Sequence, residues 1–337
     1  MLNRFFVYPS PAMDQSTATP RLPRFAVELE AELQNRADNL EAREHLIHYY
    51  YEQLIRSDAP WGGPFHDAWV RHVYWMIQHS PASQLAGTPQ ALVQPPCGTK
   101  EDYERGKQLW LSQTNLHSDD PAVLRNAAYY IRRHDGPTAQ SLLEVAYSLK
   151  PGDPDIAKLL SGVYRRIRAC GDHPEQIKRE LARKALATGE QSLNTSPIER
   201  FYRLDDVAEV ALEAAEFDKA RAYSQELLDT APNYESNWNY GNAIHNGNVI
   251  LGRIALQSRD LQRAGEYLLK AGQTRGSPQL GSFGPNMNLA KELLEIGQRS
   301  IVIRYFDLCA GFWESGLDRL RRWRVDVEQG RVPDFDN

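Results

Sequence analysis

The sequence predicts an all-α protein: a right-handed α-solenoid of irregular antiparallel helix pairs with a helical cap at its N-terminal end. Three observations carry that prediction. From Phe25 onward, apolar residues recur at three- and four-residue spacing in nearly every segment. Alternating apolar and polar runs bounded by turn residues, the mark of strands, are almost absent. Small residues also return at matched positions of successive helix pairs, the sign of a repeat.

In chain order, residues 1–23 carry Pro9, Pro11, Pro20 and Pro23 among Ser and Thr, a composition that resists regular structure and predicts an extended arm. Residues 24–119 are patterned as helices near 24–36, 38–57, 65–79 and 100–116. They lack the small-residue signature and are expected to cap the repeats, because the end of a stack must cover its own apolar face. Residues 120–335 are expected to be the solenoid. Breaks rich in Pro, Gly, Ser, Asp and Asn fall at 58–64, 80–99, 117–121, 150–154, 171–174, 194–197, 230–233 and 272–286. Short links of this kind make successive helices antiparallel neighbours.

The repeat is visible residue by residue. Ala127 and Tyr130 precede Ala139 and Ala146, with Pro151 as terminator; Ala208 and Ala211 precede Ala220 and Leu227, with Pro232 after them. A third copy runs Leu251, Gly252, Ala255, then Ala264 and Ala271. A fourth runs Leu289, Ala290, Leu293, then Val302 and Cys309. Small side chains at these places let two helix backbones approach, and larger apolar residues fill the space between them. This pattern resembles the tetratricopeptide repeat over about residues 120–315, best in RNAAYYIRRHDGPTAQSLLEVAYSLKP and LGRIALQSRDLQRAGEYLLKAG. The spacing of Ala139, Ala220 and Ala264 and the long segment after 271 make the repeats irregular. The stretches NYESNWNYGNAIHNGNVILGRIAL and SPQLGSFGPNMNLAKELLE are also similar to bacterial proteins known only as repeat-containing. What the resemblance implies is a fold and an interaction role.

Composition narrows the function. With 39 basic against 44 acidic side chains and a net charge of −5, the chain lacks the basic surface that phosphate backbones require, so nucleic acid is not an expected partner. Cys97, Cys170 and Cys309 are far apart, so no zinc-ligand spacing exists and reduced thiols in a cytoplasmic protein are expected. No apolar stretch approaches the roughly 20 residues of a spanning helix, and Phe5–Tyr8 is too short for a signal-peptide core, so no membrane is expected. No nucleotide-binding glycine motif occurs, and no cofactor is expected.

Asn233, Asn237, Asn239, Asn242, Asn246 and Asn248 crowd one stretch that otherwise reads as helix. Asn is a mediocre helix former, so the crowding needs a cause. Helical spacing puts Asn239, Asn246 and Arg253 on one face beside Asn242, with Tyr240 and His245 close by. A carboxamide donates and accepts together, as holding an extended peptide backbone requires, and Arg253 can grip a carboxylate at two points. Inner-face Asn, Lys and Arg serve this way in peptide-binding tetratricopeptide domains, which the resemblance carries to this face. The segment 272–288 is longer than ordinary interhelical links and is expected to wall the face with Arg275, Gln279, Ser282, Phe283 and Asn286, or else to pin two repeats together through Leu280 and Phe283. The expected function is an intracellular scaffold that binds a protein or extended peptide segment there. The alternative is an enzyme or small-molecule site around His245, with 272–288 as its lid; no catalytic residue is assigned.

Other clusters weigh less. His45 and His48 with Glu41 and Glu52 share a helical face, and His66, Asp67, His72 and His79 lie nearby, but the Glu-x-x-His pairs of di-iron bundles are missing, so no metal is expected. The basic clusters Arg165, Arg166, Arg168, Lys178, Arg179, Arg183 and Lys184, and Arg319, Arg321, Arg322 and Arg324 around Trp323, are interleaved with acids and are expected to be solvated helix faces, with nucleic-acid binding through Arg321, Arg322 and Arg324 as a third alternative.

Overall fold

The computed structural model describes residues 23–56 and 63–335. The expected arm therefore lies outside the described residues except for Pro23, as does most of the break at 58–64. The described residues form sixteen α-helices and no strand. The chain divides into two compact units, residues 1–167 and 168–337. The division falls after the first repeat pair, whereas the small-residue signature begins near 120.

The first unit holds α1 (Arg24–Asn35), α2 (Leu40–Arg56), α3 (Pro64–His79), α4 (Lys100–Leu116), α5 (Pro121–Ile131), α6 (Gly136–Leu149) and most of α7 (Pro154–Cys170). The starts of its later helices are written in the sequence. Thr99 and Asp102 form a reciprocal capping box on α4, and the Asp120 carboxylate accepts from the Ala122 and Val123 amides behind Pro121. Asp135 caps α6 by accepting from the Thr138 amide. Helices α2 and α3 pack together around Leu46, Ile47, Trp69, Val73, Met76 and Ile77, all fully buried.

The second unit holds α8 (Glu175–Ser192), α9 (Pro197–Glu213), α10 (Phe217–Thr230), α11 (Tyr240–Gln257), α12 (Leu261–Gly272), α13 (Pro278–Phe283), α14 (Asn288–Glu295), α15 (Arg299–Cys309) and α16 (Leu317–Glu328). The pairs α5–α6, α9–α10 and α11–α12 are tight TPR-like hairpins. Ala127, Ala139, Ala146, Ala208, Ala211, Ala220, Ala264 and Ala271 are all fully buried in them, as the repeat demands. Two hairpin turns carry no glycine. Ala215 (φ 60) and Arg259 (φ 58) hold the left-handed conformation and let the Glu216 and Asp260 amides donate back to Ala211 and Ala255 at 2.9 Å. Each forgoes roughly 1 kcal/mol that glycine would not, so these turns carry no sequence signal.

The segment 272–288 contains the short helix α13 and is not one irregular loop. Trp323 is buried against Phe306, Trp313 and Phe335, and its indole N–H donates to the Asp334 carbonyl, so its ring belongs to the core around α15 and α16. Arg321 pairs with Asp318 and Arg324 with Asp307.

Candidate functional site

Only Asn242, Asn246 and Asn248 of the Asn-rich stretch lie on α11, with Asn233, Asn237 and Asn239 in the turns before it, and most of these amides are spent inside the protein. Asn239 and Asn242 are buried. Asn242 Nδ2 donates to Asn239 Oδ1 at 2.9 Å and Gln279 Oε1 at 3.2 Å, and its Oδ1 accepts from the Ser277 hydroxyl at 2.5 Å. Thr274 donates to the Gly241 carbonyl, and Gly241 lies directly against the Gly276 backbone, where a side chain would not fit. These contacts clamp 272–288 onto α11. Arg275 stacks its guanidinium over the Tyr240 ring at 4.8 Å, while Phe283 remains 46% exposed at the end of α13.

His245 is fully buried, and both ring nitrogens are engaged. Nδ1 lies 3.1 Å from the Ala271 carbonyl, and Nε2 accepts the Asn286 amide at 3.0 Å, which defines the neutral Nδ1–H tautomer. Burial pulls its pKa down to about 4, outweighing the carbonyl bond that favours the charged form. The ring fixes the clamp, and no nitrogen remains to carry a proton to a substrate.

Asn246, Arg253 and Asn286 do meet, lining a cleft of about 130 Å³ with Asp205, Asp206 and Glu209. Asn246 donates to Asp205 at 3.0 Å, and Arg253 is paired with Glu292 at 2.8 Å. Burial, with the charge of Asp206 adding to it, pushes the Asp205 carboxyl up to about 7. This cleft is acidic, which the amide pattern did not announce.

A cavity of about 820 Å³ in the first unit brings together residues that sequence reasoning had not joined. Its floor is a buried polar network. Glu30 Oε1 accepts from the Tyr50 hydroxyl at 2.7 Å, from Arg71 at 2.9 Å and from His72 Nε2 at 3.0 Å. Arg43 reaches His72 Nδ1 at 3.2 Å, so His72 donates through Nε2, accepts through Nδ1 and is neutral. Burial lowers the His72 pKa accordingly. Burial would raise the Glu30 carboxyl, but the hydrogen bonds from His72 and Tyr50 and the charge of Arg71 outweigh it and hold it at about 2.

Aromatic faces and guanidinium groups line the rest. Arg43 donates twice to the Ala37 carbonyl and lies 3.9 Å over the Trp75 ring, whose stacking partner is His79 at 4.5 Å. Arg105 on α4 sits 5.3 Å over Tyr74 and forms no ion pair with a carboxylate among the described residues. Three carboxylates line the cavity as well: Glu30, held in its network, Asp102, held in the α4 capping box, and Asp67, exposed beside His66 Nδ1 at 3.3 Å. Arg71 and Arg105 present donors to the same cavity. His66 and His72 both line this cavity, and among the described residues no group of three His, Cys, Asp or Glu side chains converges to hold a metal. His45 and His48 are exposed on α2. A buried Arg43 over Trp75 has no signature in sequence, because the partners are distant along the chain.

No protein family's sequence profile matches the chain, and no curated protein matches it. Solved structures do. A human IFIT1 dimer with PPP-AAAA superposes over 90% of this chain and 67% of its own, with TM-score 0.53 and 16% identity. A human IFIT1 dimer with m7Gppp-AAAA covers the same shares, with TM-score 0.50 and 17% identity. At this identity the likeness establishes the fold, an all-α helical repeat. It also corrects the expectation that nucleic acid is not a partner, because the two structures of this fold were solved with PPP-AAAA and m7Gppp-AAAA. Net charge is a weak guide here: −5 sums the whole chain, whereas a ligand meets only the charges around its own site. Among the described residues no helix is long and apolar enough to cross a membrane.

Proposed function

We propose that this chain is an intracellular binding protein of the tetratricopeptide-like class whose first-unit cavity takes the phosphorylated end of a nucleotide or single strand. One observation carries the reading. Arg71 and Arg105 line, with Arg43, a cavity beside the faces of Trp75 and Tyr74, where Glu30 and Asp102 are already bound internally and Asp67 lies against His66. Guanidinium groups suit phosphate oxygens, and aromatic rings suit a base. The fold shared with IFIT1 structures solved with PPP-AAAA and m7Gppp-AAAA supports the ligand class. The free cysteines fit a reducing, cytoplasmic setting. The cleft of Asn246, Arg253 and Asn286 has narrower support as a small-molecule site, since about 130 Å³ admits only a few heavy atoms.

The test is fluorescence anisotropy with a labelled tetra-adenylate carrying a 5′-triphosphate or a 5′-hydroxyl. The triphosphate form should bind at least tenfold more tightly, about 1.4 kcal/mol. Arg71→Ala with Arg105→Ala should abolish that difference with little change in melting temperature, since Arg105 is exposed and Glu30 keeps the Tyr50 and His72 donors when Arg71 is lost. Equal binding of the two forms, or none, refutes the reading.

A further inference from the structure

A second basic cluster in the first unit is separate from the cavity. The turn after α5 presents Arg132, Arg133 and His134. Arg166 of α7 reaches over it, its Nη2 donating to the Arg133 carbonyl at 3.3 Å. Close packing of Ile167 on Gly136 seats α7 against this turn. From the other side, Lys107 of α4 pairs with Asp135 at 2.9 Å. Four cations thus surround one turn, with Asp135 and Glu104 the carboxylates beside them. Asp135 is already held by Lys107 and by capping α6. Among the described residues neither Arg133 nor Arg166 forms an ion pair with a carboxylate.

The neighbourhood registers this excess. Burial first, then Arg166 and Arg133, push the His134 pKa down, and Lys107 adds to them against Glu104 alone. Burial lowers the Arg132 pKa, and Arg133 and Arg166 lower it further. With Asp135 held by Lys107 and only Glu104 besides, the cations outnumber the carboxylates, and such an excess of like charge favours an anion. Rings are also present: Arg132 lies 3.6 Å over Tyr129, and His134 stands 4.4 Å from Tyr103.

We propose that Arg133 and Arg166, with Arg132 and Lys107 behind them, hold phosphodiester groups of a single strand. The identity of the ligand as a strand rests on the reading of the cavity; the anion site does not. Helix α4 links the two places, carrying Arg105 at the cavity and Lys107 at the cluster. A strand seated by its end in the cavity would have its later phosphates held here, which a mononucleotide would not reach.

The experiment compares adenosine triphosphate with a 5′-triphosphate dodeca-adenylate, on wild type and on Arg133→Glu with Arg166→Glu. Arg132 is left alone because it donates to the Tyr129 carbonyl within the turn. The double variant should bind the dodecamer at least tenfold more weakly, with the slope of log affinity against log salt reduced by about 1.4 for two lost phosphate contacts. Its affinity for adenosine triphosphate should be unchanged, and Arg133→Lys with Arg166→Lys should retain most dodecamer binding. Unaltered dodecamer binding by the Glu variant overturns the proposal. So does displacement of the dodecamer by polyglutamate at equal charge concentration, which would mark an acidic protein segment as the ligand. If adenosine triphosphate fails to bind wild type while the dodecamer binds through Arg133 and Arg166, the cavity reading fails and this one stands.

Discussion

Replacing His245 by Asn should change how stability depends on pH, by an amount the structure supplies. The His245 ring is fully buried, with Nδ1 at the Ala271 carbonyl and Nε2 accepting the Asn286 amide. Its pKa falls from the ordinary 6.5 to about 4. Between those values the unfolded chain binds the proton and the folded protein does not, so stability is full above 6.5 and is lost as pH falls toward 4. The full loss is about 3.4 kcal/mol, of which roughly 2 kcal/mol is reached by about pH 5. In the variant, the Asn amide can still donate to Ala271, but the Asn286 amide loses its acceptor, which costs about 1–3 kcal/mol at neutral pH. The variant has nothing to protonate. Urea unfolding of both proteins at about pH 7.5 and pH 5 should therefore show wild type more stable at the higher pH, with the gap shrinking by about 2 kcal/mol at the lower. A gap of the same size at both pH values would refute the argument that this ring is neutral and locked.

Two further outcomes follow from the same unit. Gly241→Ala drives its methyl into the Gly276 backbone, which cannot swing aside as a side chain would, so the clamp on 272–288 should loosen. Thermal unfolding should show a loss of about 1–3 kcal/mol, and amide exchange should quicken across 276–286. Asp205→Asn should stabilise the protein at alkaline pH. With its carboxyl raised from 3.8 to about 7, the folded protein resists an ionisation that the unfolded chain accepts, so stability falls as pH rises between those values. The amide keeps an acceptor for Asn246, so the variant should melt higher than wild type near pH 8, and the advantage should vanish near pH 4.

What the sequence determined by itself is the class of fold. Helical period and the spaced small residues from Ala127 to Ala271 are relations between near neighbours, and each is met in the structure. The turns at Ala215 and Arg259 escaped because each residue adopts a conformation that its type disfavours, held there by the hairpins on either side. The amide stripe was legible as an anomaly, but its partners were not. Whether Asn242 faces a ligand or Ser277 and Gln279 depends on where a segment 35 residues away comes to rest. The cavity was the least legible, since Arg43, His72 and Glu30 come from three helices and each reads alone as an ordinary surface residue. Only tertiary packing decided that burial would neutralise His72, hold Glu30 ionised and leave Arg71 and Arg105 to face outward. Local order follows from the chain's own periodicity, whereas charge and solvation at a site are set by which distant groups share one low-dielectric space.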